Sequence, residues 1–113
     1  MSQDKPHTVI CRYQVTPGKE EEMVKLLEKH WPTLHAAGLT TNDRPVIYRS
    51  IASGKPGEDH DAPSTFVEIF SWKDGRAAGV AHETPEVMAV WEPMGAICED
   101  MEFPHFERLD IVK

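Results

Sequence analysis

Residues 64–72 read STFVEIFSW, a run that alternates along the chain yet carries large apolar side chains on both of its faces. Its length and its β-branched and aromatic content predict a β-strand. Successive side chains of a strand point to opposite faces. The two faces therefore carry Val67 and Ile69, and Phe66, Glu68, Phe70 and Trp72. What covers each of these faces decides the fold.

The other strands follow from the same kind of pattern on either side of this one. Residues 7–15, HTVICRYQV, alternate and predict a first strand, and residues 44–52, RPVIYRSIA, predict a second. Residues 104–113, PHFERLDIVK, predict a final strand. After the first strand, TPGKEEE at 16–22 starts a helix with acids in its first turn, where the helix dipole favours them.

Apolar residues at helical spacing predict two helical regions. In residues 18–37 they form one stripe, with Pro32 expected to kink the helix near its end and Gly38 to end it. This stripe consists of Met23, Leu27, His30 or Trp31, and Leu34. Residues 73–82 suit a short helix, and TPEV at 84–87 restarts it with a Thr N-cap followed by Pro. The second stripe consists of Val87, Trp91, Met94, Cys98 and Met101.

The order of these elements, β-α-β-β-α-β with the second helix in two pieces, is that of the ferredoxin-like split βαβ unit. We expect a single α+β domain over residues 1–113, with a four-stranded antiparallel sheet and both helices on one face. The chain has no further element to cover the other face. A bare sheet face that bears aromatic side chains is adhesive, so the sequence predicts a homodimer that packs through this face.

Composition excludes several classes of partner. The formal net charge is −7 and the basic residues are scattered, so we expect no nucleic acid partner and no anionic membrane surface. No apolar run approaches the roughly 20 residues of a membrane span. The N-terminus shows no secretory signal pattern, which makes the cytoplasm the expected location and makes Cys11 and Cys98 free, buried thiols.

The segment SGKPGEDHDAP at 53–63 lies between the second and third strands and is rich in Gly, Pro and Asp. This composition predicts a loop. Since the loop is longer than a tight hairpin needs, residues 52–63 are either a lid over a site or an insertion.

Two long stretches resemble a known family. Residues 9–34, VICRYQVTPGKEEEMVKLLEKHWPTL, and residues 66–87, FVEIFSWKDGRAAGVAHETPEV, are similar to the dimeric α+β barrel superfamily, and within it to antibiotic-biosynthesis-monooxygenase-like (ABM) domains. The family pattern has an acid and an aromatic near the end of the third strand, and His-x-x-(Ser/Thr)-Pro on the helix that follows. Glu68, Trp72 and HETP at 82–85 match it.

The resemblance implies a homodimer whose sheets form a barrel, with a pocket in each subunit between its sheet and its helices. Some relatives oxidise polycyclic phenolic substrates with O2 and no metal or flavin, and others degrade haem. The cofactor-free oxygenases use an Asn on the first strand, where this chain offers Arg12 and Gln14 and no Asn. The haem-degrading relatives use a helical His with a Trp, and the resemblance does not extend that pair to His82 and Trp91.

His82 is the candidate catalytic base. It precedes the helix restart, where a side chain can face a pocket mouth, and a neutral imidazole can take a proton from a phenol or an acidic carbon. The alternative is a His that hydrogen-bonds the backbone at the helix end. His82 and Glu86 have the spacing of half a metal site, but Thr84 and Pro85 break the helix between them. We therefore expect no metal and no cofactor.

Six further residues are candidates for ligand binding: Trp91, Trp31, Tyr48, Glu68, Arg12 and Trp72. The two helical tryptophans are either core or pocket wall. An unpaired carboxylate among aromatic residues is costly, so we expect Glu68 to pair with Arg12 or Arg49, either structurally or in ligand recognition.

Three functions are compatible with this sequence. The first is an ABM-like domain that binds a small, partly aromatic molecule and oxidises it as a cofactor-free monooxygenase on a phenolic or quinol-type substrate. The second is a non-catalytic, dimeric ligand-binding or stress-response module. The third is haem degradation.

Overall fold

The helices and strands occur in the predicted order, with one additional short strand. The computed structural model describes residues 5–51 and 63–112. Its elements are β1 (His7–Val15), α1 (Glu20–Ala36), β2 (Val46–Arg49), β3 (Ser64–Trp72), α2 (Ala77–His82), α3 (Pro85–Ala96), β4 (Cys98–Glu102) and β5 (His105–Phe106). The predicted lid or insertion at 52–63 lies almost wholly outside the described residues.

The sheet is antiparallel and has β1 and β3 at its centre. The strand order is β2-β3-β1-β4, with β5 also paired to β1. β1 and β3 pair along their whole length, from His7 opposite Trp72 to Val15 opposite Ser64. β4 pairs with the second half of β1 and β5 with the first half. The fourth position of the predicted sheet is therefore filled by two consecutive pieces of chain, which gives the ferredoxin-like α+β fold expected from the sequence.

The fourth strand begins earlier than the sequence pattern predicts. Cys98 and Met101, which were expected on the helical stripe, lie on β4, and most of the predicted strand at 104–113 belongs to no strand. Pro93 and Gly95 weaken the end of α3. The free edge of β1 also presents backbone groups that need hydrogen-bond partners, and the residues after α3 supply them. Strand pairing therefore overrides the helical spacing.

The helices pack on the face of the sheet that carries the most buried strand residues. The buried strand residues are Val9, Cys11, Tyr13, Val15, Phe66, Glu68, Phe70 and Trp72. The buried helical residues of α1 and α3 are Met23, Leu27, His30, Trp31, Leu34, Val87, Val90 and Met94. The predicted helix end at Gly38 is confirmed, since this residue has a φ of 76°, which favours glycine. None of the described helices is long and apolar enough to span a membrane.

The opposite face of the sheet is left open and presents two rows of side chains. Residues that face each other in antiparallel strands lie on the same side of the sheet. One row is Val46, Ile69 and Ile10, and the other is Tyr48, Val67, Arg12 and Glu102. Tyr48 is 60% exposed and Val46 is 48% exposed. These two rows define the open face, which no described residue of the same chain covers.

Candidate functional site

A cavity of about 390 Å³ lies between the helix-facing side of the sheet and the helices. This volume is in the range of small-molecule sites. Most of the lining side chains are apolar or aromatic, among them Val9, Phe70, Trp72, Met88, Trp91 and Phe103. Three imidazoles also reach its wall, those of His30, His82 and His105. The cavity therefore suits an apolar, aromatic ligand with few polar groups.

A buried chain of hydrogen bonds runs from the sheet to the cavity wall. The Tyr13 hydroxyl donates to Glu68 Oε1 at 2.8 Å. The same oxygen lies 2.7 Å from His30 Nδ1, and the Trp91 indole Nε1–H donates to His30 Nε2 at 2.8 Å. Glu68 is completely buried and His30 is 3% exposed. Side chains from β1, β3, α1 and α3 are therefore joined into one polar unit, which is called the Glu68 chain below.

The donor and acceptor roles in the Glu68 chain follow from the indole. A tryptophan Nε1 can only donate, so His30 Nε2 must accept and carries no hydrogen. The hydrogen of the neutral imidazole is then on Nδ1, which donates to Glu68 Oε1. Glu68 Oε1 accepts two hydrogen bonds, whereas Oε2 is buried and has no partner among the described residues. His30 consequently presents an acceptor at the cavity wall.

Burial also controls the neighbouring thiol and phenol. Burial raises the pKa of the Cys11 thiol, the nearby Glu68 raises it further, and a hydrogen bond with Tyr13 lowers it. Burial is likewise the main cause that raises the pKa of Tyr13 well above its usual range, followed by the charge of Glu68 and by the nearby Cys11. Both groups stay protonated near neutral pH. Tyr13 therefore keeps the hydrogen that it donates, and Cys11 is a poor nucleophile.

His82 occupies a different position from His30. It is the last residue of α2, is exposed, and lines the cavity. Its ring meets the Trp91 ring edge to face, with 4.8 Å between the centroids. None of the hydrogen bonds of the described residues involves the His82 side chain. The predicted alternative role at the helix end is filled by Thr84, whose hydroxyl donates to the Val80 carbonyl. The His82 ring nitrogens are thus available to a ligand.

The structure brings together only some of the predicted site residues. His82, Trp91 and Trp72 all line the cavity, and Glu68 lies behind the wall through its bond to His30. Trp31 is buried in the core and stacks on His35 instead.

Tyr48 and Arg12 lie on the open face of the sheet, away from the cavity. The expected ion pair between Glu68 and an arginine is wrong. Arg12 Nη2 binds Glu102 at 2.6 Å, and the Arg49 guanidinium lies over the Phe66 ring. Arg12 lies on the opposite face of β1 from the buried Glu68, which binds a tyrosine and a histidine.

Two site residues were missed as such by sequence reasoning, His30 and Tyr13. Both appear in the sequence only as members of buried patterns, on the stripe of α1 and on β1. A signal was present, since a buried strand acid requires a donor from a facing element. The sequence offered two arginines on strands as donors, and it did not reveal that a histidine of the helical stripe faces Glu68.

The sequence predictions also concern the possible metal ligands and the two cysteines of the described residues. No group of three or more His, Cys, Asp and Glu side chains there could hold a metal ion. Cys11 and Cys98 are both free, as predicted, although Cys98 is half-buried rather than buried.

Comparison with solved structures identifies the fold. A variant of SnoaB, a cofactor-independent oxygenase from Streptomyces nogalater, is 16% identical, with a TM-score of 0.67 over 96% of this chain and 99% of that chain. A candidate antibiotic biosynthesis monooxygenase from Bordetella bronchiseptica is 15% identical, with a TM-score of 0.71 over 93% and 98%. Another from Nitrosomonas europaea is 17% identical, with a TM-score of 0.68 over 98% and 97%.

No family model and no curated protein sequence matches the chain. The similarity to the solved structures shows that the chain has an ABM-like fold, as its sequence resemblance predicts. Sequence identities of 15–17% support a shared fold and nothing more.

Proposed function

We propose that this chain binds a small, neutral aromatic molecule in its cavity and oxidises it with O2 as a cofactor-independent monooxygenase. The observation that carries the proposal is an apolar, aromatic cavity whose wall includes His82, an imidazole with unengaged nitrogens. The shared fold with SnoaB, a cofactor-independent oxygenase, supports the same reaction class.

The substrate must form a stabilised carbanion, because the protein has only to remove a proton to start the reaction. An anthrone-type methylene group flanked by aromatic rings meets this requirement. His82 takes one proton from that carbon, and the carbanion transfers an electron to O2. Recombination forms a C–O bond, and the peroxide anion regains a proton from the imidazolium. The hydroperoxide then loses water, so that the methylene carbon becomes a carbonyl and each O2 ends as one carbonyl oxygen and one water.

The cavity contributes to this reaction by excluding water from the carbanion. Aromatic walls bind the rings of the substrate, and an apolar surrounding protects the anion from being reprotonated by solvent. His82 lies at the exposed end of α2, so its proton can exchange with bulk water between turnovers.

The test is oxygen uptake with 1,8-dihydroxyanthrone, corrected for the reaction without protein. We expect catalysed uptake of one O2 for each quinone formed, together with saturation by the substrate. Binding of the anthrone without any catalysed uptake would contradict the oxygenase and favour the non-catalytic binding module. A shifted Soret band after addition of hemin, with haem breakdown, would favour haem degradation instead.

A second copy of the chain is proposed as the cover of the open face. Its two rows place Val46, Tyr48, Val67, Ile69 and Ile10 on one surface, and apolar patches of this kind mark interaction sites. Arg12 and Glu102 continue the second row, and their charges are paired with each other at 2.6 Å. A second, identical apolar face would be complementary to this surface.

Sedimentation equilibrium measures this assembly. We expect a mass of twice the 12.8 kDa of one chain, and we expect Tyr48→Glu to sediment as a monomer at the same concentration. Lys29→Glu, an exposed change on α1, is the control and should leave the mass unchanged. A wild-type protein that sediments with the mass of one chain at micromolar concentration would contradict the proposal.

A further inference from the structure

The hydrogen bond between Trp91 and His30 lies at the wall of the cavity, because both residues line it. Trp91 is half-buried, whereas His30 is held from behind by Glu68, 2.7 Å from its other ring nitrogen. The imidazole is therefore the fixed partner of this bond. Among the described residues this is the only hydrogen bond of the indole side chain, so the indole is the partner that a ligand can displace.

His30 Nε2 is an acceptor and cannot become a donor without rearranging the Glu68 chain. Its tautomer is set by two bonds, one from the indole and one to Glu68 Oε1. Moving the imidazole hydrogen to Nε2 would leave two acceptors, Nδ1 and the carboxyl oxygen, facing each other at 2.7 Å. Among the described residues, Glu68 receives its side-chain hydrogen bonds only from Tyr13 and His30, both at Oε1.

We infer that His30 Nε2 is the recognition point for a hydroxyl group of the ligand, which replaces the Trp91 indole as its hydrogen-bond donor. A phenolic O–H is more acidic than an indole N–H and is therefore the stronger donor to the same nitrogen. The displaced indole can turn its N–H toward water at the exposed side of the cavity. This inference rests on the proposed ligand-binding role of the cavity and adds the chemical class that the cavity selects.

The selected class is a neutral hydroxyarene. An ether or a quinone places an oxygen lone pair against the lone pair of His30 Nε2, which is repulsive. An aromatic carboxylate places a negative charge near Glu68, a carboxyl group that is completely buried and whose partners are a tyrosine and a histidine. Hydroxyl recognition at His30 also leaves His82 free for the proton that the reaction removes.

The inference is tested by anaerobic calorimetric titration with 2-naphthol, 2-methoxynaphthalene and 1,4-naphthoquinone. One net hydrogen bond is worth a factor of about three to ten. Because the phenol replaces an existing indole bond, we expect the wild-type protein to bind the naphthol only about threefold more tightly than the ether or the quinone. Equal affinities, or tighter binding of the quinone, would overturn the inference.

Two variants sharpen the test. Trp91→Phe removes the competing donor and leaves His30 Nε2 unpaired, so the preference for naphthol over its ether is expected to widen to about tenfold. His30→Leu removes the acceptor and is expected to reduce the preference to within a factor of about two. A preference that Trp91→Phe leaves at its wild-type value would overturn the inference even if His30→Leu failed to fold.

The outcomes separate this inference from the proposed function. Because the titrations contain no oxygen, absence of O2 uptake would remove the oxygenase and leave the preference for hydroxyarenes in place. Oxygen uptake combined with equal binding of naphthol and its ether would instead retain the oxygenase and remove the role of His30.

Discussion

His82→Ala is expected to lower kcat for anthrone oxidation by at least about 100-fold, because a positioned base contributes roughly 10²–10⁴-fold to a proton transfer. Such a loss corresponds to about 2.7 kcal/mol of activation free energy. KM is expected to change little, because the rings of the substrate bind mainly to the aromatic walls. Steady-state oxygen uptake over a range of anthrone concentrations measures both constants.

Two controls separate a base from a structural residue. Glu83→Ala changes the exposed neighbour of His82 and is expected to retain wild-type kcat. Since His82 itself is exposed, added imidazole should enter the space left by His82→Ala and restore part of the rate. Intact turnover in His82→Ala would show that the base is assigned to the wrong residue.

Glu68→Leu is expected to lower the free energy of unfolding by about 2–6 kcal/mol, because each of two buried donors loses its acceptor at a cost of about 1–3 kcal/mol. The leucine removes the acceptor of the Tyr13 hydroxyl and of His30 Nδ1–H, both on side chains at most 3% exposed. Urea denaturation followed by tryptophan fluorescence measures the change.

Glu68→Gln is the matched control for this prediction. Its amide oxygen can still accept from both donors, and its amide nitrogen takes the place of the unpartnered Oε2, so we expect a loss of no more than about 1 kcal/mol. A Glu68→Leu protein as stable as wild type would mean that the Glu68 chain makes no net contribution to stability.

Local sequence patterns predicted most of the fold, because the spacing of apolar residues within an element depends on which of its sides is buried. The alternation of STFVEIFSW predicted β3 with both of its observed ends at Ser64 and Trp72. The pair Thr84-Pro85 predicted the break between α2 and α3, and α3 begins at Pro85. The stripe of α1 predicted its buried side. Each of these signals lies within one element, so a single segment of sequence contains all of it.

The candidate site was predicted in part for the same reason. His82 stands beside a helix break, which led local reasoning to place it at a pocket mouth, whereas Trp91 was left as either core or pocket wall. All three of His82, Trp91 and Trp72 line the cavity. Glu68 was correctly predicted to be buried and in need of a partner. The predicted partner, an arginine, was wrong. His30 lies 38 residues away in the chain, and its position on the apolar stripe of α1 does not specify which strand residue it contacts.

The chain's own sequence was sufficient for the order of its elements, for the buried stripe of α1, and for the residue types that can do chemistry. The expectation of a bare sheet face bearing aromatics was wrong, since Phe66, Phe70 and Trp72 lie under the helices. Only the tertiary structure decided where α3 gives way to β4, because that boundary depends on the unpaired edge of β1. It also decided that Tyr13 and His30 converge on Glu68 and that Trp91 binds the other ring nitrogen of His30. Hydrogen bonds between distant elements depend on how those elements pack, and packing is a property of the whole chain.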